Sequence, residues 1–474
     1  MAAPASPYAP TVRTGWASLL EMNRYHWFVF AVTATAWMLD CMDQQLFNLA
    51  RQSAVTELLG PEGRSEVKLW ATISTSVFLI GWAVGGLFFG IMGDRSGRVK
   101  TLSTTILVYS IFTGLSALSM TIWDFMGYRF LTGLGVGGVF AVAVALIAET
   151  VPDRPRPYTL GMLQALSGVG NCTAALIFIG LGLLAARGYF DHLTVLGSGL
   201  IKPWRIMFLV GIVPGLLVVL IQGRMHEPEK WKRAIAAGQK KPGFGELFAH
   251  PVWRRHALFG LLLAFSGVVG LWGIGFFSID LQQSVFKKTF IAEAKAMDLD
   301  EAETTRYVGG QLAIWAGITS LFLNAGAAAG MLTFSTVTAF LGRKKSFAIA
   351  FVAAGFSTLL VFWKLKTFED IYWMIPLMGF CQLALFGGFA IYLPELFPTR
   401  LRSTGTSFCY NVGRLAAAVG PFMLGVLTTK VFTAAEGWEE PMRPAGMVMC
   451  SVFLLGLLAL PFLPETKDKP LPQE

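Results

Sequence analysis

Twelve runs of predominantly apolar residues recur along this 474-residue chain, at 27–50, 69–92, 101–121, 127–148, 159–185, 204–222, 257–279, 312–340, 346–363, 371–393, 405–429 and 445–463. Each approaches or exceeds the roughly 20 residues that a helix needs to cross about 30 Å of hydrocarbon. In lipid a backbone must satisfy its own polar groups, and a single run does so only as a helix. The alternating pattern of a lipid-facing β-barrel strand does not occur in these runs. The expected fold is an all-α polytopic membrane protein with 12 transmembrane helices. Composition points the same way: 54% of residues are hydrophobic and 14% charged, whereas soluble domains carry about 25% charge. The same balance excludes intrinsic disorder.

Sparse cysteine excludes a disulfide scaffold. Cys41, Cys172, Cys381, Cys409 and Cys450 all lie in apolar runs and read as small buried hydrophobes. His26, His192, His226, His250 and His256 sit at or outside run ends, so no metal spacing arises and neither metal nor cofactor is expected. The net charge of +9 fits basic loops against anionic lipid better than nucleic-acid binding. The N-terminal MAAPASPYAPTVRTGW has no basic region leading into a short apolar core, so no cleaved signal peptide is expected. Lys and Arg count 22 in the terminal segments and even-numbered loops, against 13 in the odd-numbered loops, including a long one at 280–311. That bias places both termini in the cytoplasm of a cell whose inner membrane holds the chain.

The chain also repeats itself at an offset of about 245 residues. Gly97-Arg98-Val99-Lys100 follows the second run and Gly342-Arg343-Lys344-Lys345 the eighth. Glu149 to Arg156 follows the fourth run and Glu395 to Arg402 the tenth, both fitting E-x-x-P-x-R-x-R. The expected organisation is an N-terminal segment 1–26, a six-helix bundle 27–222, a basic linker 223–256, a second six-helix bundle 257–463 and a tail 464–474. Parallel halves of this kind typify one transporter architecture, in which the site lies near mid-membrane between the halves.

Charges inside the runs are the candidates for chemistry. Asp40 and Asp43 lie one turn apart on one face of the first helix. An intramembrane charge costs about 2.5–3.5 kcal/mol on insertion scales. Burial and like-charge proximity both favour the protonated carboxyl, so the pair suits coupling to protons. Alternatively one Asp pairs with an Arg to lock two helices, and Asp43 sits close enough to the outer surface to be solvated. Arg414 lies about ten residues into the eleventh run; its guanidinium fork suits a substrate carboxylate, or else a structural ion pair with Asp40. Arg129 opens the fourth run from the outer side, where it reaches an anion or the Asp pair, or snorkels outward. Gln164, Asn171, Asn324, Gln382, Asn411 and Tyr410, with Trp272, Trp315 and Phe386, are the other residues able to line a cavity, though helix packing explains any single one equally. Gly133 to Gly138 has no preceding strand and no Lys-Ser/Thr, so it is not a nucleotide loop. No ATPase domain is evident, so an ion or substrate gradient must supply the energy.

Gly90-x-x-x-Asp94-Arg95-Ser96-Gly97-Arg98-Val99-Lys100 resembles the loop 2–3 signature of the major facilitator superfamily, and the resemblance spans the chain. Pro394-Glu395-Leu396-Phe397-Pro398 and Pro464-Glu465-Thr466-Lys467 are similar to motifs of sugar porters and organic-acid carriers. Asp40-x-x-Asp43, with Gly413-Arg414 and Gly420-Pro421, resembles the aromatic acid/proton symporters. That resemblance implies proton coupling by Asp40 and Asp43 and carboxylate binding by Arg129 and Arg414; as polar residues within the runs, Asn411, Gln382, Gln164 and Asn171 are the candidate further ligands. It also implies that Gly90, Asp94, Arg95, Gly97 and Arg98 latch the halves, with Glu149, Arg156, Glu395 and Arg402 in the same gate; otherwise these charges only fix topology. Cys41-Met42 departs from the Gly-aromatic pair of those symporters, and sialate and niacin carriers share the framework.

The leading expectation is a monomeric proton-coupled symporter that imports a small organic anion, with small-molecule substrate, protons and the lipid bilayer as its partners. A neutral sugar or polyol carrier is the alternative, a non-transporting membrane sensor a third reading, and drug export a fourth. No nucleophile–base set or metal cluster supports an enzyme.

Overall fold

The computed structural model describes residues 15–63, 66–186, 202–236, 243–275, 277–417, 419–432 and 440–472. The first fourteen residues of the expected N-terminal segment, the loop 187–201, the linker stretch 237–242 and the loop 433–439 lie outside the described residues. The first five helices are Arg24–Leu59, Val67–Ser96, Arg98–Ser116, Ile122–Thr150 and Arg156–Ala186. The sixth runs through Pro203–Val210, Val213–Leu216 and Leu217–Arg224. The seventh passes from Pro251–Val268 through a π-helical stretch, Val269–Gly275, into Phe277–Ala296. The eighth, ninth and tenth are Glu301–Leu341, Arg343–Lys364 and Phe368–Glu395. The eleventh starts at Arg402–Ser407, turns π-helical at Phe408–Val412 and resumes at Gly413–Ala417 and Val419–Val426. Met442–Met449 and Val452–Ala459 form the twelfth.

Eight of the described helices are long and apolar enough to cross a membrane by that measure alone. Polar residues dilute the first and third, and breaks shorten the sixth and eleventh. The stretch 280–311 differs from the loop expected there: it is helical to Ala296 and again from Glu301. The physical reason is local. Phe286 and Phe290 bury one face of the first piece. Asp300 accepts the Glu303 N–H at 2.7 Å while the Glu303 side chain accepts the Asp300 N–H at 3.2 Å, a reciprocal cap that starts a helix in water as well as in lipid.

The repeat is visible in packing as well as in sequence. The second helix lies along the fourth and the eighth along the tenth. A Cβ on Gly85 would come 2.0 Å from the Leu134 carbonyl oxygen, and one on Gly330 would come 2.0 Å from that of Phe380. Both glycines are therefore required by backbone contact between helices. Gly97 and Gly342 break the second–third and eighth–ninth junctions with φ of +107° and +88°, conformations that glycine adopts without strain. Directly after them, Arg98 forks onto Glu149 at 3.0 and 3.3 Å, and Arg343 onto Glu395 at 2.9 and 3.0 Å. The N–H groups that open the third helix without an intrahelical acceptor, those of Arg98, Val99 and Lys100, are taken up by Glu227 of the linker. Those of Arg343 and Lys344, opening the ninth, are taken up by Glu465 of the tail at 2.8 and 3.0 Å. An anionic side chain at a helix N-terminus satisfies orphan donors and the helix dipole together.

At this end of the bundle, the linker end, the short 3-10 helix Gly15–Glu21 crosses between the halves. Its Trp16 ring lies tilted against Tyr158 of the fifth helix, with centroids 4.8 Å apart, and donates to the Thr336 hydroxyl of the eighth at 2.9 Å.

Burial pushes the Glu465 carboxyl up, but the N–H groups of Arg343, Lys467 and Lys344 and the Arg343 charge outweigh it, leaving it below its ordinary value of 4.5. A carboxyl depressed by folding stabilises above the unfolded value, and that contribution is lost as pH falls through the depressed one. Thermal unfolding of the detergent-solubilised protein is therefore expected to lose more stability between pH 7 and ~3.5 in the native chain than in Glu465→Gln. Equal losses would contradict the cap.

Candidate functional site

A cavity of about 780 Å³, including its mouth, lies between the two halves. Most of that is open mouth: the space comparable with ligand cavities is about 100 Å³, below the roughly 300–1,000 Å³ typical of small-molecule sites. Its wall carries six side-chain amides: Gln44, Gln45 and Asn48 of the first helix, Gln164 and Asn171 of the fifth, and Asn324 of the eighth. Asn171 donates to Asn324 across the halves at 3.4 Å. Trp37, Trp272, Phe386 and Tyr410 supply aromatic wall, and Arg414 is the charged residue lining it.

Arg414 is held by aromatic faces. Its guanidinium carbon lies 3.8 Å from the ring centre of Trp82 in the opposite half, 4.7 Å from Tyr410 and 5.7 Å from Trp272. Such cation–π contacts hold a cation without neutralising it. One terminal nitrogen donates to the Tyr410 hydroxyl at 2.9 Å. Nε and the other terminal nitrogen are buried with no hydrogen-bond partner among the described residues, although Arg414 is only 9% exposed. The Asp40 carboxylate accepts from Gln44 at 2.9 Å through one oxygen, and its other oxygen has no partner among the described residues. Arg414 and Asp43 both act on Asp40 electrostatically, yet Asp40 and Arg414 form no ion pair within 4.0 Å among the described residues.

Asp43 faces away from this cavity into the N-terminal half, where it is fully buried. The Thr113 hydroxyl of the third helix donates to it at 3.0 Å, and Arg129 is the charge that acts on it most. The fourth helix begins at Ile122, set by a reciprocal cap between Thr121 and Asp124, so Arg129 lies two turns inside it. Arg129 donates to the Ser116 and Thr132 hydroxyls at 2.6 and 3.1 Å. Phe208, Phe47 and Phe125 surround its guanidinium at 4.6, 5.4 and 5.9 Å. Asn411 and Gln382 are buried elsewhere. Asn411 packs against Gly86, donating to the Ser407 hydroxyl at 2.9 Å, in a seam where Gly90 and Gly93 meet Ser407 and Ser403. Gln382 donates to Thr358 at 2.6 Å within the C-terminal half. Of the six residues read from sequence as substrate ligands, Arg414, Gln164 and Asn171 line the cavity. Gln44, Gln45 and Asn48, which also line it, had no such assignment from sequence. The signal available was the amide spacing 44, 45, 48, which puts one polar stripe on an apolar helix.

The linker end is tied across the halves by charge. Glu149, already forked by Arg98, also takes Arg402 of the eleventh helix at 2.8 Å. Asp94 pairs with Arg98 at 2.6 Å and accepts the N–H groups of Ser403 and Thr404 at 3.1 and 2.7 Å and the Thr404 hydroxyl at 2.6 Å. It thus caps the N-terminus of the eleventh helix from the other half. The repeat-related pair is different: Glu395 accepts from Thr466 at 2.6 Å, within its own half, and Arg156 pairs with Asp153. Arg95 is exposed beside Gly243 of the linker.

The sequence profile described as sugar (and other) transporter matches residues 18–231 and 259–467. A putative metabolite transport protein of Haemophilus influenzae is 27% identical over 466 residues, covering 95% of this chain and 99% of that one. The cis,cis-muconate transport protein of Acinetobacter baylyi is 28% identical, over 75% of this chain and 77% of its own. Among solved structures, the proton:xylose symporter XylE of the major facilitator superfamily superposes with a TM-score of 0.66 at 16% identity, over 94% of this chain and 98% of that one. The fold is that of the major facilitator superfamily.

Removing one partner of a buried ion pair costs about 3–5 kcal/mol, because the other is left uncompensated. Glu149→Gln leaves Arg402 without a carboxylate and Arg98 with Asp94 alone, whereas Arg402→Met leaves the Arg98–Glu149 fork intact. Thermal unfolding is expected to show the larger loss for Glu149→Gln. Equal losses would mean that Glu149 is not the shared anion.

Proposed function

The chain belongs to the sugar (and other) transporter family, and from that premise we propose that it imports a small organic carboxylate together with protons by alternating access. It is a multi-pass membrane transporter and not an enzyme. The observation that carries the anion reading is Arg414: a cation about ten residues into the eleventh run, on the wall between the halves, with two buried nitrogens unpartnered among the described residues. A guanidinium so placed offers donors to a planar carboxylate. The cis,cis-muconate relative supports the same class.

In this reading Asp40 and Asp43 take the proton. Arg129 compensates Asp43 inside the N-terminal half, and Gln164 and Asn171 help to orient the substrate. A cavity that closes over an uncompensated charge is costly in a medium of low dielectric. The empty carrier and the carrier holding both carboxylate and proton therefore rearrange readily, while the half-loaded one does not. Asp94, Arg98, Glu149 and Arg402 hold the linker end shut, so this arrangement faces the opposite side, and the linker end opens when they part. Gly90 lets the two helices of that seam approach. Arg95, Gly97, Arg156 and Glu395 shape the same gate. Both termini are cytoplasmic in the inner membrane, and the monomer carries the whole pathway.

The six amides of the cavity wall also suit a hydroxylated neutral ligand, so a sugar or polyol symporter is the second reading. Uptake into proteoliposomes under an imposed pH difference separates them. With cis,cis-muconate, aromatic acids, sugar acids and neutral sugars as probes, Arg414→Gln is expected to weaken carboxylate uptake by roughly 10–100-fold, the equivalent of about 1.5–3 kcal/mol of charged hydrogen bonding. Asp40→Asn and Asp43→Asn are expected to lose pH-driven accumulation, with exchange surviving at the true proton site. Uptake of a neutral sugar indifferent to Arg414→Gln would overturn the anion reading, and full accumulation in both Asp variants would overturn proton coupling.

A further inference from the structure

Tyr109, Thr113 and Ser116 lie at i, i+4 and i+7 of the third helix, on one face. All three are buried. Thr113 donates to Asp43 and Ser116 accepts from Arg129, so this face looks toward the two charges sealed in the N-terminal half. The first and third helices run in the same direction, because one crossing separates them. The Thr113–Asp43 bond at 3.0 Å fixes their register. One turn back on each helix therefore brings Tyr109 level with Asp40.

Five atoms there are buried with no hydrogen-bond partner among the described residues: the Tyr109 and Ser110 hydroxyls, one oxygen each of Asp40 and Asp43, and one terminal nitrogen of Arg129. Asp40 and Asp43 both act electrostatically on that hydroxyl. The Ser110 hydroxyl approaches it without closing a bond of ordinary geometry. The other groups facing this cluster are Cys41 of the first helix, Arg129 of the fourth, which acts on Asp43, and Arg414 of the eleventh, which acts on Asp40. The sixth helix presents Gly211, where a Cβ would fall 2.7 Å from Asp43, and the fourth presents Gly135, where a Cβ would fall 2.5 Å from the Tyr109 nitrogen. A phenol both donates and accepts, which is what a bridge between two carboxyls requires.

We propose that Tyr109 is the proton relay between Asp40, beside the substrate cavity, and Asp43, sealed behind it. The step balances without a charged phenol. Protonated Asp40 gives its hydrogen to the Tyr109 oxygen as the Tyr109 hydrogen passes to the Asp43 carboxylate. One O–H bond breaks and one forms at the phenol, which ends unchanged, and reorientation of its hydroxyl resets it. This rests on the proton-coupling role of the two aspartates.

The test needs no substrate. Time-resolved infrared difference spectra of the full-length protein after a pH step report the carboxylic C=O bands of Asp40 and Asp43, assigned through Asp40→Asn and Asp43→Asn. Tyr109→Phe keeps the ring and is expected to slow the Asp43 band at least ~10-fold relative to that of Asp40, as for loss of a positioned proton carrier. Tyr109→His, whose ring nitrogens pass a proton, is expected to restore the rate. An unchanged Asp43 rate in Tyr109→Phe, or slowing in both variants alike, would overturn the relay while leaving proton coupling intact. If neither aspartate changes protonation in the native chain, the coupling reading fails and the relay with it.

Discussion

Hydrocarbon does not solvate charge, and every charged group that this chain carries into the membrane is arranged around that fact. Arg129 is ringed by three phenylalanines and donates to two hydroxyls, with one terminal nitrogen unpartnered among the described residues but sealed away from the cavity. Arg98 and Arg402 share one carboxylate. Arg414 differs. Aromatic faces steady it, but its charge is left available on a cavity wall, with Asp40 near and not bonded to it. A cation held in that way is costly unless something else completes it. A substrate carboxylate that arrives and leaves is the completion that a transporter needs.

Duplication built the frame and not the chemistry. Gly85 and Gly330, Gly97 and Gly342, and the Arg98–Glu149 and Arg343–Glu395 forks hold equivalent places in the two halves. The charges at the site have no such counterparts: the repeat offset carries Arg414 onto Gly168 and Asp40 onto Val285. The linker end departs from symmetry in the same manner, since Glu149 reaches across to Arg402 while Glu395 stays within its own half. A two-state carrier needs contacts that hold in one arrangement and part in the other, and an unsymmetrical bridge supplies such a contact.

Much of this was legible in the residues. Run length and hydropathy gave twelve helical passes, and the twin motifs gave the repeat, because both follow from local composition and spacing. Arg414 stood out as a charge deep in an apolar run. The facing of neutral polar residues was not legible: Gln164 and Asn171 line the cavity while Gln382 and Asn411 are spent on packing. Helices that are apolar all round carry little rotational signal, so tertiary packing decides which side an amide shows. Asp43 was read as half of a coupling pair or as solvated near the outer surface, and Arg129 as reaching an anion or the Asp pair or snorkelling outward; the structure seals the two together inside one half. The missing information was the register between the first and third helices, which the Thr113–Asp43 bond sets. The helix across 280–296 was missed because its span is too polar for a membrane criterion, although a buried aromatic face sustains it.

The most direct test of the central claim is to follow external pH while a carboxylate enters lightly buffered proteoliposomes, beginning with cis,cis-muconate and continuing through aromatic and sugar acids. The account predicts that a carboxylate which accumulates removes protons from the medium in proportion. Carboxylate entry without proton disappearance, or entry of neutral sugars alone, would contradict it.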